Sequence, residues 1–234
     1  MPIAREGRFL VTRTLGPWPF LGLESSMLDA CVVEAKTAGY QGVFGSPAFG
    51  FKEQTLNSLL ALPELKSIWF WDIELENIDA VYSLKSLQSF GVHPRRPAVD
   101  FSRLSTLKRL VLEPRTKDRG METLSELEML HLWHYAPKSK TFHGLSLPPG
   151  LVELQINWAN PKSLEGLALL PRVRRLEIHR CRNFESIAEL PSLFPNLEHL
   201  VIAACGKVDS SQASDLSSQL PRLKHAFVQG VKVV

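Results

Sequence analysis

The chain has 234 residues, 44% hydrophobic and 22% charged, with 27 Lys and Arg against 24 Asp and Glu for a formal net charge of +3. So small an excess of positive charge is too mild to mark a nucleic-acid or membrane footprint, while the apolar share is ample for a core. No run of about 18 apolar residues occurs and the start, MPIAREGRFLVTRTLG, lacks an apolar stretch of secretory length; no membrane span or signal peptide is indicated, and a cytoplasmic location is expected.

Taken in chain order, Arg8 to Thr14 alternates enough to be a short strand, which the Gly16, Pro17, Pro19 cluster breaks. Ser25 or Ser26 is placed to N-cap a helix carrying Met27, Leu28, Cys31, Val32 and Ala35, with Gly39 as its stop. Tyr40, Val43 and Gly45 then begin an apolar cadence that becomes regular further on, and Lys52 to Leu62 reads as a helical return. Residues 1–64 are therefore expected to be an N-terminal capping region with a degenerate first repeat, and residues 65–234 an array of repeats with a C-terminal cap.

From Leu65 onward, triplets of apolar residues recur at offsets of three and two. They are Leu65/Ile68/Phe70, Leu87/Phe90/Val92, Leu107/Leu110/Leu112, Leu127/Leu130/Leu132, Leu151/Leu154/Ile156, Val173/Leu176/Ile178, Leu197/Leu200/Ile202 and Leu223/Ala226/Val228, spaced 20 to 26 residues apart. Each triplet predicts a short strand whose apolar beats face the core while the residues between them face the other way. Between the strands a second apolar set, such as Leu164, Leu167 and Leu170, or Ile187, Leu190 and Leu193, predicts helical or 3₁₀ returns stabilised only by stacking on their neighbours. The return from Ala136 to Pro149 is broken by prolines and is expected to be irregular, as are residues His93 to Pro97. At the end, HAFVQGVKVV fits either a frayed tail or a hairpin in which Gln229 and Gly230 fold Val231 to Val234 back on the last strand.

The repetition is plainest between LEGLALLPRVRRLEIHRC and IAELPSLFPNLEHLVIAAC, where Cys181 and Cys205 stand at matching offsets. A motif L-x-x-L-x-L-x-x-N/C at this period resembles the leucine-rich repeat, and from Tyr40 to the C-terminus the cadence is similar to that of bacterial cytoplasmic leucine-rich repeat (LRR) proteins. The resemblance implies an α/β solenoid: a right-handed arc with a parallel concave sheet and short helical, 3₁₀ or irregular convex returns. It also implies recognition of a macromolecule, usually a protein, and some relatives of this type serve as secreted effectors or as immunity partners of toxins. The chain departs from the pattern in the turn position, where only Cys181 and Cys205 fit and Ile73, Arg95, Arg115, Tyr135 and Ala159 take the other slots. The three cysteines, Cys31 included, are read as reduced and buried.

Strand alternation places Trp69, Trp71, His93, His131, Trp133, His134, Trp158, Arg175, His179 and Arg180 together on the concave face. Exposed tryptophan is costly unless something covers it, and Trp with Arg and His is the composition of binding hot spots. Two readings stand: a partner protein covers these rings, or they pack against one another across adjacent strands. Zinc requires three or four ligands converging at about 2 Å, which histidines scattered over several repeats do not supply; no metal or cofactor is expected. Neither G-x-S-x-G, H-E-x-x-H, a phosphate-binding loop nor Cys-x-x-Cys occurs, so no enzymatic activity is indicated. The paired acids Glu74 and Glu76 are read as solvated. The basic runs (Arg172, Arg174, Arg175, Arg180, Arg182 and Arg95, Arg96, Arg103, Arg109, Arg115, Lys117, Arg119) are interspersed with acids, which favours an acidic protein patch over nucleic acid as the partner. A homodimer joined through the terminal strand or the aromatic face is a further alternative.

Overall fold

The computed structural model describes residues 3–234. The chain divides into two compact units, one running to Leu110 and the other starting at Val111. In the first unit β1 (Ala4–Glu6), β2 (Phe9–Thr12) and β3 (Phe20–Gly22) pair antiparallel in sequence order. From β3 the pairing turns parallel, through β4 (Gly42–Gly45) and β5 (Ser67–Glu74) to β6 (Ser89–Arg95). A ten-residue helix α1 (Leu28–Thr37) links β3 to β4 and buries Cys31 and Ala35. Neither Ser25 nor Ser26 caps it: both lie in a preceding 3₁₀ turn, and the Ser25 hydroxyl instead accepts from the Lys52 N–H at 2.8 Å. The expected Arg8 to Thr14 strand is present as β2. The strands that sequence patterning misses are β1 and β3, each three residues long and too short to show a period.

After β7 (Arg109–Leu112), whose residues span the boundary, the second unit holds β8 (Met129–Trp133), β9 (Glu153–Asn157), β10 (Arg175–His179), β11 (His199–Ala203), β12 (His225–Val228) and β13 (Val231–Lys232). Strands β8 to β12 are parallel and unshifted, so Leu130 lies beside Leu154, Leu176, Leu200 and Ala226, and Leu132 beside Ile156, Ile178, Ile202 and Val228. All of these are buried. A buried side chain of this size contributes about 1.5–3 kcal/mol relative to exposure, and here it does so only because the next coil covers it. The returns are mostly 3₁₀ turns of three to five residues, with four-residue helices α2 (Leu190–Leu193) and α3 (Leu216–Gln219). The architecture is that of leucine-rich repeats.

Of the two alternatives at the C-terminus, the hairpin forms: β13 pairs antiparallel with β12 through Gln229 and Gly230, both with positive φ (51° and 83°), as a tight two-residue turn requires. The strands also run longer than the beats in one place. β5 and β6 continue past a register shift to pair Glu74 with Arg95, and the Arg95 guanidinium donates to the Glu74 carboxylate at 2.9 Å, so Glu74 is solvated as expected but stands in an exposed ion pair on a strand rather than in a return. Arg96, counted among the surface arginines, is 2% exposed and donates to the carbonyls of Val92 and Pro97.

One backbone feature recurs. Two residues after the last beat of a strand, Asp72, His134, Trp158, Arg180 and Ala204 all have φ between 51° and 57°. A left-handed conformation costs an L-residue about 1–2 kcal/mol, and here it turns the peptide N–H toward the next coil. His134, Trp158 and Arg180 each donate at 2.9 Å to the carbonyls of Asn157, His179 and Ala203. The following residue points inward: the Cys181 thiol donates to the His179 carbonyl at 3.4 Å, and Cys205 to those of Ile178 and Ala203 at 3.5 Å. All three cysteines are free thiols and buried.

Ala204 pays the left-handed cost with no side chain beyond Cβ to use it. Ala204→Gly is expected to stabilise the protein by about 1 kcal/mol, seen as a higher urea midpoint at unchanged slope. A lower midpoint would show that the turn is not strained.

Candidate functional site

In the first unit Trp69 and Trp71 project from β5 and His93 from β6. All three are half-buried, because the rings pack on one another. Trp71 stacks on Phe44 at 5.8 Å between centroids and meets Phe49 edge-on, while Trp69 meets His93 edge-on at 6.3 Å. Trp69 also lies flat across Gly91 on the neighbouring strand, where a Cβ would fall 2.6 Å from the indole. The glycine vacates the space that the ring fills.

In the second unit the face carries two kinds of column. Along the strands runs a charged one: the His131 Nε2–H donates to Glu153 at 3.0 Å, Arg175 donates to Glu177 at 2.8 Å, and the His179 Nε2–H donates to the other Glu177 oxygen at 2.9 Å. Glu153 and Glu177 thus sit between basic groups. The hydrogen bond from His131 draws the Glu153 carboxyl below its ordinary value. At Glu177 burial pushes the carboxyl up, but the bonds from His179 and Arg175 outweigh it and the net direction is down.

The second column is built from the left-handed turn residues. His134 stacks on Trp158 with ring centroids 5.3 Å apart and planes 17° from parallel, and the Arg180 guanidinium lies over the same indole at 5.1 Å. Trp133, at the end of β8, leans against Trp158 at 5.2 Å. Because successive coils repeat the same strained turn, three residues distant in sequence stack as a sandwich of imidazole, indole and guanidinium. Trp158, at its centre, is 37% exposed, whereas Trp133 is half-buried beneath it.

The sequence-predicted residues of the second unit therefore come together in two groups: Trp133, His134, Trp158 and Arg180 in one, and His131, Arg175 and His179 in the other. Those of the first unit form a separate aromatic set. Glu153 and Glu177, which the sequence reading left out of the site, decide which bases are committed: Arg175 is taken up by Glu177, and Arg180 has no ion pair among the described residues. The signal was present in the register, which sets Glu153 beside Arg175.

No three His, Cys, Asp or Glu side chains among the described residues are grouped closely enough to hold a metal. Cys181, an imaginable nucleophile, is 1% exposed, and its hydrogen bond with Cys205 together with burial drives its thiol far above the ordinary range, which keeps it protonated. No helix among the described residues is long and apolar enough to cross a membrane.

No protein-family model matches the sequence, and no curated protein is similar to it. Solved structures are. Internalin C2 from Listeria monocytogenes superposes with a TM-score of 0.58 over 84% of this chain and 84% of its own, at 20% identity. The functional domain of InlJ from the same organism, which includes a cysteine ladder, has a TM-score of 0.49 and 12% identity over 81% of this chain and 45% of that one. The likeness to internalin C2 establishes the leucine-rich repeat fold.

The acid pairing is testable through pH. A carboxylate whose pKa is lowered on folding contributes stability above its unfolded value that is lost as pH falls through the folded one. Glu177→Gln is therefore expected to lower the urea midpoint at neutral pH and to flatten its decline between about pH 5 and about pH 3. Parallel midpoint curves for parent and variant would show that His179 and Arg175 do not stabilise the ionised acid.

Proposed function

We propose that this chain is a non-enzymatic protein-binding module and that its strand face is the contact surface, with Trp158 as the central anchor. The observation that carries the reading is the sandwich of His134, Trp158 and Arg180. An indole 37% exposed and held on both sides costs little further ordering when a partner covers it. Arg180 is then available to pair with a partner carboxylate beside the ring, whereas Arg175, already committed to Glu177, orients His179 through the shared acid. In the first unit Trp69, Trp71 and His93 offer a flatter aromatic set. Neutralisation of a toxin or action as an effector are settings in which such a module works by occupying its partner's surface.

A cytoplasmic location accords with the thiols of Cys181 and Cys205, which act as hydrogen-bond donors to strand carbonyls only while reduced.

The left-handed backbone at Trp158 makes a clean test available. Trp158→Gly removes the ring while relieving the turn, so the fold is retained and only the anchor is lost. In affinity capture from an extract of its own cells, followed by titration of the captured protein, the variant is expected to bind about 30-fold more weakly, the loss of a hot-spot residue worth about 2 kcal/mol. Equal affinity for parent and variant would remove Trp158 from the interface.

A further inference from the structure

The edge at which the chain enters the strands of the second unit carries a feature that the aromatic face does not explain. Four coils approach their first beat through a proline and one variable residue: Pro149-Gly150-Leu151, Pro171-Arg172-Val173, Pro195-Asn196-Leu197 and Pro221-Arg222-Leu223. Since the coils stack, Arg172, Asn196 and Arg222 form a row. One residue past each beat a second row runs parallel to it, Val152, Arg174, Glu198 and Lys224, knitted by backbone bonds of 2.8–2.9 Å from each N–H to the carbonyl of the residue before it in the row. Between the rows lies an open cleft of about 380 Å³ lined by Val152, Pro171, Arg172, Arg174, Asn196 and Arg222.

The charge on this edge is lopsided. Among the described residues no acid lines the cleft, and Glu198, in the second row, is taken up by Lys224 at 2.6 Å and Arg174 at 3.4 Å. Arg172 and Arg222 have no ion pair among the described residues, and both are exposed. Asn196 uses one Nδ2–H on the Pro171 carbonyl at 2.8 Å, which leaves its second Nδ2–H and Oδ1 to a ligand.

We propose that this cleft binds an acidic peptide segment, with Arg172 and Arg222 each pairing with a carboxylate and the Asn196 Oδ1 accepting a peptide N–H between them. The spacing suits that ligand. Arg172 and Arg222 stand two strands apart, about 10 Å at the backbone, and same-side carboxylates in an extended peptide recur about every 6.8 Å, a difference that flexible side chains absorb. The chemistry favours a peptide over a nucleic-acid strand: the net charge of the chain is only +3, and the Glu198 carboxylate beside the cleft would repel a continuous phosphate backbone. A peptide supplies an N–H donor for the Asn196 Oδ1 and a carbonyl for its second Nδ2–H. Val152 and Pro171 give the cleft an apolar floor for the peptide backbone. Arginine at both ends suits bidentate pairing with carboxylates.

The test is fluorescence anisotropy with a labelled peptide of alternating Glu and Gly, its Gln and Gly counterpart, and a single-stranded oligonucleotide of similar length. The parent protein is expected to bind the Glu peptide and to lose affinity as salt rises. The Gln peptide, and the Arg172→Ala/Arg222→Ala double variant with the Glu peptide, are each expected to bind at least about tenfold more weakly, as loss of charge-assisted bonds implies. Both arginines are exposed, so the double variant folds, and an unchanged urea midpoint verifies it. Trp158→Gly is expected to bind the Glu peptide as the parent does, so the fate of the cleft is read independently of the aromatic anchor. No binding of the Glu peptide at millimolar concentration, equal binding of the Gln peptide, equal binding by the double variant, or tighter binding of the oligonucleotide would each overturn the proposal.

Discussion

Unshifted stacking of apolar beats between parallel strands is the interaction on which the rest of the second unit depends. Leu154 has Leu130 on one side and Leu176 on the other, and Ile156 is likewise held between Leu132 and Ile178. No coil owns a core. Its strand is four or five residues long and its return often a single 3₁₀ turn, both too short to be stable in water without a neighbour. The same register then dictates the opposite face without further instruction: His131, Gln155, Glu177, Val201 and Phe227 fall in one row because the leucines behind them do.

A second consequence follows at the turn. To bring the chain around after β8, β9 and β10, one residue takes a left-handed backbone whose N–H bonds to the next coil, and the strain is offset by that bond and by the residue after it. The side chain at the strained position is freed from the core and stands over its counterpart one coil along. This is how His134, Trp158 and Arg180 come to share one stack. Recognition chemistry is thus mounted on the most constrained part of the backbone, which keeps the rings in place before any partner arrives.

The likeness to internalin C2 at 20% identity shows how little of this pattern the fold itself demands. Apolar beats at fixed offsets, a turn that tolerates positive φ and returns that stack are enough for the architecture, and the positions between the beats are free to vary. Function therefore has to be argued from those positions in this chain: the Trp158 sandwich, the acids Glu153 and Glu177 that occupy their basic neighbours, and the exposed arginines at the strand edge.

From the sequence alone came the eight beat-bearing strands, the inward cysteines and the strand-face residues that alternate with the beats, since a period of two states which side of a strand each residue takes, whereas His134, Trp158 and Arg180 join that face only through the left-handed turn that breaks the alternation. What periodicity does not carry is which neighbour a side chain meets. That depends on the register between coils whose lengths differ, on side-chain rotamers and on space left by other residues. Only the tertiary structure decided that Gly91 makes room for Trp69, that Glu177 binds Arg175 and His179 together, that Arg96 is buried against carbonyls, and that FLG at residues 20–22 completes the parallel sheet ahead of β4. These are contacts between residues remote along the chain, and a local pattern holds no record of the distance that folding closes between them.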